Sequence, residues 1–109
     1  MSEAGLDLRR VRDAILAGNV RWQRHALQRM RERRIARSDV FALLQGGEVI
    51  EVYSHDTPYP SGLVLGYVGH RALHVVVGLN PDLPEVYIIT VYEPGLDKFE
   101  PDWRTRRKS

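Results

Sequence analysis

The chain contains no cysteine. That absence excludes disulfides, thiolate zinc sites and a cysteine nucleophile together, so the fold must be held by packing alone. No apolar stretch approaches the roughly 18 residues that a membrane span needs. The opening Met1-Ser2-Glu3-Ala4-Gly5 also lacks a basic region followed by an apolar run. A soluble, cytoplasmic chain is expected. Three motif classes are missing as well: a glycine-rich phosphate loop, a G-x-S-x-G nucleophile elbow and an H-E-x-x-H helix. Gly46-Gly47 and Gly62, Gly66 and Gly69 follow no nucleotide-binding spacing. His70 and His74 can share a strand face, but a metal site needs more ligands than two, and none is assigned; no cofactor is expected.

What is present suits a modest globular core. At 109 residues, with 43% hydrophobic and 28% charged, the composition argues for one domain and against disorder or a coiled-coil rod. We place that domain at residues 1–103, with 104–109 as a basic, frayed tail. The net charge of +2 conceals segregation. Residues 1–38 hold ten Arg against four acids, residues 39–102 hold two basic groups against ten acids, and residues 103–109 hold four basic groups and no acid. Cationic ends around an acidic middle point to a polyanion facing the first third and the tail. Of the 16 basic residues 14 are Arg. Arginine grips phosphate through a planar fork of donors, where lysine offers a point charge; a GC-rich genome would raise the same ratio without any ligand.

Periodicity divides the chain near Gly47. Leu8, Val11, Ile15 and Leu16 recur at helical steps from about Asp7 to Ala17, and Gly18-Asn19 ends that helix. A second, strongly cationic helix is expected from Gln23 to Arg34, and a third is capped by Ser38 and carries Val40, Phe41, Leu43 and Leu44. After Gly47 the period falls to 2 and β-branched and aromatic residues take over. Strands are expected at Glu48–Tyr53, Leu63–Val68, Arg71–Leu79 and Val86–Tyr92, joined by short links. Helices first and strands afterwards predict an α+β domain, its N-terminal helices packed on a four-stranded antiparallel sheet.

Two groups of side chains carry candidate chemistry. His25, Arg29 and Arg33 are spaced i, i+4, i+8, which lines them along one helix face. Such a row either handles phosphate, with imidazole moving a proton and guanidinium holding developing charge, or is a solvated basic face. His74 interrupts an otherwise apolar strand and is either a hydrogen-bonded core residue or a catalyst. Strict alternation puts Tyr92 on one face with Thr90, Ile88 and Val86, where its phenol either donates to phosphate or caps a core cluster. Trp103 and Tyr53 are candidates for stacking on a base or for filling the core.

Arg24-His25-Ala26-Leu27-Gln28-Arg29-Met30-Arg31-Glu32-Arg33-Arg34-Ile35, with Leu73-His74-Val75-Val76 and Ile88-Ile89-Thr90-Val91-Tyr92-Glu93-Pro94, resembles domain-of-unknown-function family 4258 (DUF4258) over nearly the whole chain. The chain departs from the family pattern two residues before His25, where Gln23 replaces a Ser or Thr. The resemblance implies a toxin of RelE or MqsR type in a toxin–antitoxin system, with the barnase–EndoU–colicin–RelE fold. It implies an antitoxin partner of the MqsA kind, bearing a zinc finger and a helix-turn-helix. The implied activity is a metal-independent ribonuclease that cleaves RNA by 2'-hydroxyl attack. His25, Arg29, His74 and Tyr92 would be catalytic and would converge in one cleft, with Arg33 at its rim; Arg24, Arg33, Arg34 and Trp103 would bind RNA. A noncatalytic RNA- or protein-binding module on the same basic face is the alternative.

Overall fold

The computed structural model describes residues 6–108. Helix α1, Leu8–Leu16, starts where the Asp7 carboxylate accepts from the Arg9 backbone N–H at 3.0 Å, and it buries Val11 and Ala14. Helix α2, Arg24–Arg33, buries Ala26 and Met30 and leaves its arginines to solvent. Its N-cap is Gln23, which makes no side-chain cap bond, so the missing hydroxyl goes uncompensated there. It ends at Arg34 in the left-handed region, φ 57. Helix α3, Arg37–Gly46, begins two residues earlier than a Ser38 cap would give. Ala36 is the N-cap, and its N–H donates to the Asp39 carboxylate at 2.9 Å. The acid at the third helical position thus decides where this helix starts.

The sheet has five strands, not four, and it is mixed. β2 (Glu48–Tyr53), β3 (Ser61–Val68), β4 (Arg71–Leu79) and β5 (Val86–Tyr92) form the expected antiparallel meander, but β1 (Val20–Trp22) joins the far edge parallel to β5. Three residues are too few to display a period of 2, so β1 carries no sequence signal of its own. It exists because β5 offers a free edge that pairs Val20 through Trp22 with Val86 through Ile88.

All three helices pack on one face of this sheet. Their apolar stripes meet Val64, Leu73, Val75, Val77, Val86, Ile88 and Val91. Gly66 leaves the space that Leu43 of α3 fills; a Cβ there would collide with the Leu43 side chain. One face assignment changes. Thr90 pairs with Val76 and Ile88 with Val77, so Ile89 is an extra residue bulged out of β5. Strict alternation would set Tyr92 beside Ile88 and Val86. The bulge reverses that, and Tyr92 lies on the opposite, helix-free face with its register partner His74.

The chain then turns back over that second face. Residues 95–107 form a small irregular hairpin, closed by Glu100 N–H to Thr105 C=O at 2.8 Å and Arg107 N–H to Lys98 C=O at 2.8 Å. The expected frayed tail is therefore folded through Arg107. Arg104 grips Glu48 with two bonds of 3.0 and 2.6 Å, and Arg106 grips Glu51 with bonds of 2.6 and 3.1 Å. The segregated charges meet one another across the fold, so much of the cationic tail is neutralised by the acidic middle rather than left for a polyanion. Among the described residues no helix is long and apolar enough to cross a membrane.

Candidate functional site

His74 has no solvent exposure. Its Nε2 lies 2.7 Å from the Trp103 carbonyl oxygen and its Nδ1 lies 3.1 Å from the Tyr92 hydroxyl. A carbonyl only accepts, so Nε2 carries the proton; in the neutral ring Nδ1 is then an acceptor and Tyr92 donates to it. The rings of Tyr92 and Phe99 meet the imidazole edge-on, at centroid distances of 5.2 and 4.6 Å. Burial pushes the imidazole below its ordinary value, and the Trp103 carbonyl and the nearby Glu51 charge oppose that only in part. Burial likewise pushes the Tyr92 phenol up. Both groups are held neutral, in the order Trp103 carbonyl, imidazole, phenol.

The hairpin that seals His74 is fixed by its own polar bonds. Asp102 accepts from the backbone N–H groups of Thr105 and Arg104 and from the Thr105 hydroxyl, which lowers its carboxyl to about 2. This turn carries Trp103 in the left-handed region, φ 59, and so aims its carbonyl at His74. The Arg106 guanidinium, over the Phe99 ring at 4.8 Å, reaches Glu51 on β2 and holds that carboxyl below its usual range. Tyr53 donates to the same carboxylate; burial and that bond push its phenol up to about 12.

The phenol of Tyr92 opens on the other side. β1 pairs only as far as Ile88, which leaves the C-terminal half of β5 without a strand neighbour there, and α2 packs beside it. The result is a cleft of about 590 Å³ between α2 and the hairpin. It is lined by Arg29 and Arg33 from α2, Tyr92 and Glu93 from the end of β5, and Lys98 and Arg106 from the hairpin. Arg33 stands 3.7 Å from Glu93, which Arg71 also approaches at 3.3 Å. Among the described residues Arg29 and Lys98 have no ion pair, so of the cleft's cations they are more available to a bound anion than Arg33 and Arg106, which face Glu93 and Glu51.

Three of the expected residues, Arg29, Arg33 and Tyr92, are thus brought to one cleft, and His74 lies directly behind Tyr92. His25 is exposed on α2 but is not part of the cleft lining; it stands one turn before Arg29 on the same row. Arg24 and Arg34 are exposed at the two ends of α2. Trp103 contributes its backbone carbonyl to the site, while its ring is half-exposed. Sequence reasoning did not single out Lys98, Phe99 or Arg106. The signal available there was Phe99, which with Leu96 and Trp103 interrupts an otherwise polar stretch. Among the described residues no three His, Asp or Glu side chains gather as a metal site would require.

The family model described as a domain of unknown function, DUF4258, matches residues 22–93, and the chain belongs to that family. The match runs from the end of β1 through the end of β5, so it includes α2, His74 and Tyr92 but not the hairpin that covers them. No curated protein and no solved structure matches the chain.

Proposed function

We propose that this protein is a metal-independent ribonuclease of the RelE or MqsR toxin type, acting in the cleft between α2 and the C-terminal hairpin. The observation that carries the reading is the placement of one phenol between a buried neutral imidazole and a cleft rich in arginine. Cleavage by 2'-hydroxyl attack needs a proton acceptor, charge stabilisation at phosphorus and a proton for the departing 5'-oxygen. Tyr92 oxygen takes the 2'-hydroxyl proton as its own proton passes to His74 Nδ1, and the imidazolium so formed is held by the Trp103 carbonyl. The 2'-oxygen bonds to phosphorus while the bond from phosphorus to the 5'-oxygen breaks. Arg29 and Arg33 hold the charge on the phosphoryl oxygens, and the leaving oxygen, directed out of the cleft along the α2 row, takes its proton from a protonated His25 one turn before Arg29. The products are a 2',3'-cyclic phosphate and a 5'-hydroxyl. A cognate antitoxin, of the MqsA-like kind that the family resemblance implies, would restrain the enzyme by laying acidic residues along the same arginines.

A noncatalytic RNA-binding module is the second reading, favoured by one observation: His74 is sealed and His25 lies outside the cleft lining. Tyr92→Phe separates the two. The ring keeps its packing against His74 while the phenol oxygen is lost. Proton-transfer groups contribute about 10²- to 10⁴-fold in rate, so cleavage of a single-stranded oligonucleotide in EDTA should fall by at least about a hundredfold with affinity little changed. Wild-type protein that binds RNA without cutting it, or a variant that cuts at the wild-type rate, removes the catalytic reading.

A further inference from the structure

A second recess lies on the same sheet face, at the opposite end of β5. It is a slot of about 100 Å³ between the 54–60 loop and the strand, lined by Tyr59, Tyr87, Ile89, Gly78, Gln23 and Thr57 among others. The Tyr59 and Tyr87 rings lean together with centroids 5.1 Å apart and planes at 45°. Gly78 supplies a bare floor: a Cβ built there would point at Ile89, Pro60 and Tyr87, the nearest atom being 3.4 Å away. Gln23 makes no cap bond to α2, so its amide brings both a donor and an acceptor to the slot. None of the lining residues is charged.

We infer that this slot binds a nucleobase of a single-stranded RNA whose scissile phosphate lies in the Arg29–Tyr92 cleft. The inference rests on the ribonuclease reading and names where the substrate runs beyond it. Three observations support it. The lining is uncharged, with two aromatic rings and one amide, which suits a base and not a phosphate, since every base offers a π-face and a polar edge. The bulge at Ile89 matters as well: Tyr87 and Tyr92 are five residues apart and would point to opposite faces of a regular strand, yet both lie on the helix-free face. Five residues of strand span about 17 Å, so one extended oligonucleotide reaches both places. Between them Val76, Ile89 and Thr90 are each partly exposed along the strand. The charge follows the same division, with the cations at the cleft end for the backbone and none in the slot.

The test compares a fluorescein-labelled hexanucleotide with a dinucleotide by anisotropy. The hexanucleotide is long enough for both places; the dinucleotide is not. Tyr59→Ala and Tyr87→Ala should each weaken hexanucleotide binding about tenfold and so collapse its advantage over the dinucleotide. Gly78→Leu should do the same by filling the slot, and it keeps both rings, so a loss there cannot be put down to missing core. A hexanucleotide carrying 4-thiouridine away from the scissile position should photo-crosslink to Tyr59 or Tyr87. Equal hexanucleotide affinity in all three folded variants, or crosslinks confined to α2, overturns the slot while leaving the ribonuclease reading intact. Wild-type protein that binds neither oligonucleotide overturns the parent reading itself. A slot that takes N-acetyl-tyrosinamide but neither adenosine nor uridine, followed by NMR shifts, overturns the proposal in favour of a peptide partner.

Discussion

Lowering the pH from 7.5 to 5 should cost this protein stability through His74, before the carboxylates paired with arginine or backbone donors respond. The imidazole is buried and neutral, with its value pushed below the ordinary 6.5 by desolvation. The unfolded chain therefore binds a proton that the native state refuses, and unfolding becomes easier as pH falls. The stabilisation is fully present above about pH 6.5 and is lost progressively below it, at a slope of at most about 1.4 kcal/mol per pH unit for one group. Over the 1.5 units down to pH 5 the ceiling is about 2 kcal/mol. That is a large share of the roughly 5–15 kcal/mol that holds a domain together. Glu48, Glu51, Glu85 and Asp102 are all held below their ordinary values by arginine or backbone donors. Their stabilisation has the same sign with respect to pH but is lost only below about 4.5, so the two windows separate. The assay is urea denaturation followed by circular dichroism at half-unit steps of pH, with His74→Gln as the control. The amide can still donate to the Trp103 carbonyl, yet it does not titrate. The variant should start less stable at pH 7.5 and stay nearly flat to pH 5, so that the two curves converge. Parallel curves for wild type and variant, or a wild type that gains stability toward pH 5, would refute the buried neutral imidazole and with it the proton path from Tyr92.

The remaining expectations concern the lid, the core and the arginines. Arg106→Ala removes an ion pair whose cationic side chain is 52% exposed, together with its stacking on Phe99. The combined loss should be about 1–2 kcal/mol, concentrated in the hairpin, and amide exchange at Glu100 and Arg107 should quicken while β4 stays protected; unchanged exchange would mean that the pair does not hold the lid. Gly66→Ala forces a methyl into the Leu43 side chain, so it should destabilise by about 1–3 kcal/mol in thermal or urea unfolding, and a neutral result would show that α3 can slide on the sheet. Arg29→Ala should lower the slope of log affinity against log salt for single-stranded RNA by about 0.7, whereas Arg33→Ala, already shared with Glu93, should lower it less; equal effects would remove the distinction drawn between them.

How much of this was legible in the sequence depended on how many residues each feature occupies. The helical stripe of α1 and the four meander strands run long enough for a period to declare itself, and they fall within two residues of expectation. β1 does not, because three residues hold no period and its existence is decided by the free edge of β5. The bulge at Ile89 is equally invisible: an extra residue in a run of Ile88-Ile89-Thr90-Val91 changes no pattern of hydrophobicity, yet it moves Tyr92 to the opposite face. The site divides in the same way. The i, i+4 spacing of Arg29 and Arg33 is local and carried directly into the cleft, whereas the environment of His74 is made by contacts 18 and 29 residues away in the chain. A burial-dependent property such as a neutral imidazole cannot be written in a strand's own residues, because part of its walls belongs to a hairpin whose buried apolar anchor is Phe99. The charge pattern shows the converse error. Segregation along the chain read as a surface waiting for a polyanion, but Arg104 and Arg106 find Glu48 and Glu51 more than fifty residues away. What remains for a ligand is narrower than the composition implied. It is the row on α2 with Lys98 across the cleft, Arg29 less engaged than Arg33, facing a phenol whose proton is already directed inward.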